Sequence, residues 1–341
     1  MRSLYAVART IVYLLMAAII LCSTHSVIGD NYNYKVLALD MVDGAAYRPY
    51  VYRTLLPTAA RLIVAATPAW AQRDLNAIRA RGPLPQSSAG PGASADRAEK
   101  KAVVLLLMYL CFVGYAFAAR RLFAHFYDAS PLLIDATGLI ALLCLPPAYN
   151  YVYLYDPATL FLFTLGLVLM ARERWFAYIV IFLLSCANKE TTILLTLVFA
   201  VYYRGRLGGK YRALIGVQVV GYLLIQGWIR WVFRHNPGGG IEFHLLDFNV
   251  AYLHYSFCAI LGALAIAWLL CDRLAEKPPL LRDGLWMAVP LASLALFFGN
   301  MGEWRDFYEV YPVVIVLAIH SLAPLFGLRL HPRVTPQCDS L

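Results

Sequence analysis

Apolar runs long enough to cross a lipid bilayer recur along almost the whole chain, and nothing else constrains it so strongly. A hydrocarbon core of about 30 Å takes roughly 17–25 helical residues to cross. Of the 341 residues 61% are hydrophobic and only 14% are charged, against about 25% charged in an ordinary soluble domain. Such a chain cannot cover itself with a polar surface. The sequence therefore predicts an all-α, polytopic transmembrane helical bundle, with 1–341 forming one integral membrane domain.

The run Thr10–Cys22 follows Arg2 and Arg9, but no small-residue cleavage pattern follows "LCSTHSVIGD". It reads as a first span rather than a removed leader. Further spans are expected at about 102–119, 132–148, 157–171, 213–230, 255–271, 285–299 and 310–327. The seven cysteines lie in apolar runs or near the C-terminus, a placement that implies no disulfide framework.

The run 175–203 is interrupted by "SCANKETTILL", which sets Lys189 beside Glu190. As a single crossing it would put the basic clusters "ARERW" and "RGRLGGKYR" on opposite sides, against the enrichment of Lys and Arg in cytoplasmic loops. As a hairpin of two short helices, about 175–187 and 190–203, it puts both on one side. The hairpin brings the expected count to about ten membrane helices and places both termini in the cytoplasm. Fifteen of the 29 Lys and Arg then fall on the cytoplasmic side, four in the short outer loops and hairpin tip. The charge of +9 is thus accounted for by membrane orientation, and no nucleic-acid partner is called for.

The long first outer loop, 29–101, divides in two. Its opening half mixes aromatic, charged and apolar residues and is expected to form surface helices. Its second half, 82–101, is rich in Gly, Pro, Ser and Ala and reads as a flexible linker.

Four outer stretches hold the candidate chemistry. The first loop supplies Asp30, Asp40, Asp43, Arg48 and Arg53, and "NYVYLYDPA" supplies Asp156. The hairpin tip gives Lys189 and Glu190, while "GNMGEWRDFYEVYP" gives Glu303, Arg305 and Asp306. A carboxylate can take a proton from an acceptor hydroxyl while cations stabilise a phosphate leaving group. Plainer readings stand beside this one. Asp30 caps a helix end, Arg48 and Arg53 snorkel to headgroups, Lys189 and Glu190 pair with each other to hold the turn, and the tyrosines form an interfacial belt. His235, His244 and His254 match no compact ligand spacing, and "GRLGGK" lacks the spacing and the Ser or Thr of a phosphate-binding loop. A divalent metal is not indicated by any ligand motif, so the cofactor is left unknown.

An acidic residue just after the first span, a long first loop, a short-helix pair broken by "KET" and a late "E-x-R" (Glu303, Arg305) together resemble membrane glycosyltransferases of the GT-C superfamily. "D-x-x-x-Y" (Asp30, Tyr34) followed by "YRPYVYRTLLP" is similar to the start of bacterial proteins of this kind. The resemblance implies transfer of a sugar from a polyprenyl-phosphate carrier to a glycan or lipid acceptor on the outer side of the cytoplasmic membrane. Asp30, Asp40 and Asp43 would be its catalytic carboxylates. Arg48, Arg53, Asp156, Lys189, Glu190, Glu303 and Arg305 would bind substrate. Membrane lipid, the lipid-linked donor and the acceptor are the implied partners. A transporter or flippase for a lipid-linked or anionic substrate and a non-catalytic assembly subunit remain the alternatives.

Overall fold

The structure, a computed structural model, describes residues 2–29, 38–68, 91–145, 153–239, 243–328 and 330–333, without the side chains of 2–3, 24–29, 91–98 and Asp247. It is almost entirely helical. In chain order the helices are α1 (Arg2–Gly29), α2 (Ala38–Asp43), α3 (Leu55–Ala66), α4 (Pro91–Phe126), α5 (Pro131–Leu143), α6 (Asp156–Ala171) and α7 (Trp175–Asn188). They continue as α8 (Ile193–Tyr203), α9 (Gly209–Val232), α10 (Val250–Tyr255), α11 (Phe257–Cys271), α12 (Pro279–Gly284), α13 (Ala288–Phe297) and α14 (Tyr311–Leu322). Two short strands, β1 (Tyr127–Asp128) and β2 (His331–Pro332), pair antiparallel.

Among the described residues, four segments are long and apolar enough to cross a membrane: Leu4–Ser23, Glu99–Phe126, Gly209–Val232 and Pro279–Phe297. The remaining apolar helices are shorter, at 10–17 residues, and include α5, α6, α7 and α11. Large apolar side chains are exposed along α1 (Leu4, Val7, Ile11, Leu15), α9 (Leu223, Leu224, Trp228) and α11 (Phe257, Leu264, Trp268). That outward apolar surface is what a lipid-facing helix presents and a water-facing one avoids.

Helix α6 forms the centre. Twelve of its residues are buried, on every side of the helix, and it lies against α4, α7, α8 and α14. A helix apolar all round needs such a position. Helix α4 also lies against α1, α3 and α5. Close approach there depends on Gly138 of α5: a Cβ added to it would sit 2.4 Å from the Tyr13 hydroxyl and 2.8 Å from the Ala116 carbonyl oxygen.

The run 175–203 is a hairpin. At its open end the Trp175 ring meets Phe199 and Tyr203 edge-on, at 5.8 and 5.1 Å between centroids, so the start of α7 lies beside the end of α8. Helix α7 stops because Lys189 is extended (φ −155°, ψ 141°). Thr192 then donates its hydroxyl to the carbonyls of Ser185 and Lys189, both at 2.8 Å. A threonine hydroxyl that satisfies carbonyls in this way competes with helix continuation. Helix α9 covers the pair, with Tyr178 donating to Gln218 Oε1 (2.8 Å) and Gln226 Nε2 to the Cys186 carbonyl (2.6 Å).

One expectation is revised in the first loop. Residues 91–101 of the supposed linker belong to α4. "ASADRAEKKA" is built of good helix formers, and Lys100 is anchored by a 2.7 Å ion pair to Asp43.

The bundle has two polar ends. Helix α5 begins near Asp135 at one end and finishes at the other, where Tyr311 at the start of α14 donates its hydroxyl to the Cys144 carbonyl. The starts of α6 and α14 and the α7–α8 turn share that second end. The starts of α1 and α5 and the end of α4 share the first.

Candidate functional site

At the second end, residues from four distant stretches meet around Tyr155, which precedes α6 and is fully buried. Arg53 follows a 3-10 turn (Tyr50–Tyr52) and is held beside the hairpin by the Thr54 amide, which donates to the Ala187 carbonyl at 2.8 Å. Its guanidinium grips Glu190 with two hydrogen bonds, Nη2 to Oε1 at 2.9 Å and Nε to Oε2 at 3.4 Å. Nη1 donates to the Tyr155 hydroxyl, and the cation lies 4.2 Å from the centroid of the Tyr155 ring. Arg305 approaches the same phenol from the other side. Its Nη1 donates to Tyr155 at 3.3 Å, its Nε and Nη2 hold Glu303, and it lies 4.0 Å from the Tyr153 ring centroid. Two arginines 252 positions apart in the chain thus share one hydroxyl.

Beside them Lys189 donates to Glu309 Oε1 at 2.7 Å, with both side chains nearly or fully buried, and Thr191 donates to the same oxygen. Asn188 ties the turn to α6, donating to the Tyr155 carbonyl (3.1 Å) and to Thr159 Oγ1 (3.0 Å). Asp156 Oδ2 accepts from the Tyr153 amide at 2.9 Å. Asp156 Oδ1, Glu309 Oε2 and Asn188 Oδ1 are buried acceptors with no partner among the described residues. A buried acceptor left alone costs about 1–3 kcal/mol, so this end is short of donors.

The electrostatics follow from burial and pairing. Burial alone would lower the pKa of Arg53, but the charge and hydrogen bonds of Glu190 outweigh it and the value lies above the ordinary one. The same opposition holds at Arg305, where burial is outweighed by Tyr155, Asp156 and Glu303. Burial pushes the Tyr153 phenol up to about 12. Three cations thus face four carboxylates, and Glu190, Glu309 and Glu303 form the ion pairs. The accessible partners are Glu190 and Glu303, with side chains 31% and 22% exposed. Glu309 is sealed.

Of the expected site residues, Arg53, Asp156, Lys189, Glu190, Glu303 and Arg305 are brought together. Arg48 is not: it donates to the Gly238 carbonyl and its amide to Pro237 (2.8 Å), which fastens the first loop to the α9–α10 connection. Asp43 pairs with Lys100, and Asp40 lies in α2, where its carbonyl accepts from the amides of Ala45 and Ala46. Asp30 lies outside the described residues, one position beyond the end of α1. Lys189 and Glu190 do not pair with each other. Each turns to a different distant partner, and Lys189, at 6% exposure, lies inside protein rather than facing an open cleft. Tyr153 and Tyr155 support arginines instead of forming an interfacial belt. Glu309 and Thr191 were missed from the sequence. The signal for Glu309 was one more acid in the "EWRDFYEVYP" stretch, set at the start of an apolar helix.

Among the described residues no three His, Cys, Asp or Glu side chains gather as metal ligands. A cavity of about 610 Å3 lies at the opposite end, lined by Arg273, Glu276, His320 and His331 among others, remote from the tyrosine-centred cluster. No protein-family model matches the chain, and neither a curated protein nor a solved structure is significantly similar to it.

Proposed function

We propose that the protein is a membrane glycosyltransferase of GT-C type, which moves a sugar from a polyprenyl-phosphate-linked donor to a glycan or lipid acceptor at the extracytoplasmic face of the cytoplasmic membrane. The observation that carries this reading is the pairing of Arg53 and Arg305 on Tyr155 at one end of an apolar helical bundle. A lipid-linked phosphate sits at such an end. Each arginine has an accessible carboxylate partner that a phosphate can replace, and a planar guanidinium offers phosphate two parallel donors. Negative charge growing on the leaving phosphate would be stabilised there. Asp30, next to the end of α1, is the proposed base. Asp43 is already engaged by Lys100, and Asp40 is the lesser candidate.

The test is sugar transfer from a polyprenyl-phosphate donor in membranes holding equal amounts of each variant. Asp30→Asn should lose about 10²–10⁴-fold in rate, the usual contribution of a general base, while keeping donor binding. Arg305→Lys should lose donor binding. Full transfer in both variants would remove the assignment.

A second reading has a specific observation behind it. Every cation of the cluster already holds a carboxylate of the protein itself, as expected if the pairs only fasten the hairpin in a non-catalytic membrane subunit. On that reading the double change Arg53→Gln, Glu190→Gln leaves function at wild-type level wherever the protein folds.

A further inference from the structure

At the end of the bundle opposite the tyrosine-centred cluster, Asp135 of α5 is 6% exposed and is shared by two arginines. Arg120 of α4 reaches Asp135 Oδ1 through Nε, and Arg9 of α1 reaches the same oxygen through Nη1 at 3.5 Å. Tyr13 fixes the carboxylate's own helix by donating to the Asp135 carbonyl at 2.6 Å. Two cations against one carboxylate leave one positive charge over. The donors are also underused, although Asp135 Oδ2 is itself a buried acceptor with no partner among the described residues. Arg9 is held only by a long contact and its Nε is buried with no partner among the described residues, while Arg120 engages Asp135 through Nε alone, leaving both terminal amino groups outside the pair.

The surroundings say what would complete the set. The side chains of Arg9 and Arg120 are 21% and 27% exposed, so a ligand can reach them. Tyr5 and Val12, four residues before and three after Arg9 and so on its side of α1, are 45% and 42% exposed, an apolar strip beside Arg9. Arg9 lies five residues inside the membrane-crossing segment Leu4–Ser23, or about 7 Å at 1.5 Å per residue. That is within reach of headgroup level for a snorkelling arginine. An excess cation between helices at the end of a span, flanked by an apolar strip, suits an anionic headgroup with its acyl chain along the strip.

We propose that Arg9 and Arg120 form a phosphate site for an anionic phospholipid of the surrounding membrane, with Asp135 setting its affinity by competing for the same two guanidiniums. This site is independent of the function proposed above, so its failure leaves that function untouched.

The purified full chain is titrated in detergent with phosphatidylglycerol, with phosphatidylcholine, and with inorganic phosphate, and the thermal unfolding midpoint is read alongside lipid retention by native mass spectrometry. Phosphatidylglycerol should raise the midpoint and remain bound, and phosphatidylcholine should do neither. Arg9→Gln, Arg120→Gln should cut phosphatidylglycerol retention by tenfold or more, whereas Asp135→Asn should increase it. If the double glutamine variant does not fold, Arg9→Lys, Arg120→Lys keeps the charge but loses the planar fork, and retention should fall by several-fold. Equal retention in wild type and arginine variants overturns the proposal. So does an unchanged or lower retention in Asp135→Asn, or protection by inorganic phosphate equal to that by phosphatidylglycerol, which would make the site one for free phosphate.

Discussion

Lys189 and Glu190 stand out in the sequence because an ionisable side chain inside an apolar run is costly, by about 2.5–3.5 kcal/mol at a helix centre on insertion scales. That something must compensate was legible. What compensates was not, since the partners lie 120 and 137 positions away, at Glu309 and Arg53, and no local pattern encodes those distances. The structure changes the variant that should rescue Lys189. Lys189→Met leaves Glu309 with no cation in a fully buried setting, a loss of about 3–5 kcal/mol for a broken buried pair. Removing the stranded charge as well, in Lys189→Met, Glu309→Gln, should recover most of the folded protein. Lys189→Met, Glu190→Gln should not, because Glu190 belongs to Arg53. Folded protein in the membrane and its unfolding midpoint in detergent separate these outcomes. Equal recovery by both double variants would mean that the Lys189–Glu309 pair has no special role.

At the scale of elements, apolar runs in the sequence coincide with the four segments long and apolar enough to cross a membrane, and the positive-inside argument divides 175–203 where the structure has α7 and α8. The extended Lys189 and the Thr192 hydroxyl that close the turn are short-range features, so the break was readable there. The start of α4 was misread because Gly, Pro and Ser at 82–94 masked the helix-forming run behind them, and because the Asp43–Lys100 pair that anchors it is long-range. Thr192→Val keeps the shape but removes the hydroxyl's bonds at the turn, while the Ser185 and Lys189 carbonyls keep the amides of Lys189 and Thr192, and should lower stability by about 0.5–1.5 kcal/mol, seen as a lower unfolding midpoint. Gly138→Ala drives a methyl group against the Tyr13 hydroxyl and the backbone of α4, and overpacking of that kind costs about 1–3 kcal/mol. Tyr13→Phe in the Gly138→Ala background removes the hydroxyl but leaves the ring carbon that bore it at 2.6 Å and the Ala116 carbonyl oxygen at 2.8 Å, and it gives up the bond to the Asp135 carbonyl, so it should recover little of the loss. Full recovery would show that the α4 backbone yields freely.

Taken as a whole, the molecule places its charged clusters at two ends joined by apolar helices, and the two ends differ in kind. One gathers three cations and four carboxylates around Tyr155. The other gathers the surplus of Lys and Arg, with Arg9, Arg120, Arg172, Arg174 and the "RGRLGGK" turn all near the starts of α1, α5, α7 and α9. By the positive-inside tendency the end that holds Arg9 and Arg120 should face the cytoplasm and the tyrosine-centred end the opposite compartment. Single cysteines at Glu173 and Gly208, in the connections before α7 and α9, should therefore react with a membrane-impermeant thiol reagent only when the cytoplasmic face is open to it. Cysteines at Asn236 and Met301, in the connections after α9 and α13, should react in intact cells. The background must first lose its native exposed cysteines, including Cys258 and Cys271. Labelling of positions 173 and 208 from different sides would turn α7 and α8 into one crossing and break the convergence on Tyr155. Labelling of all four from one side would mean that the bundle does not span the membrane, and a lipid-linked donor would then have no face on which to meet Arg53 and Arg305.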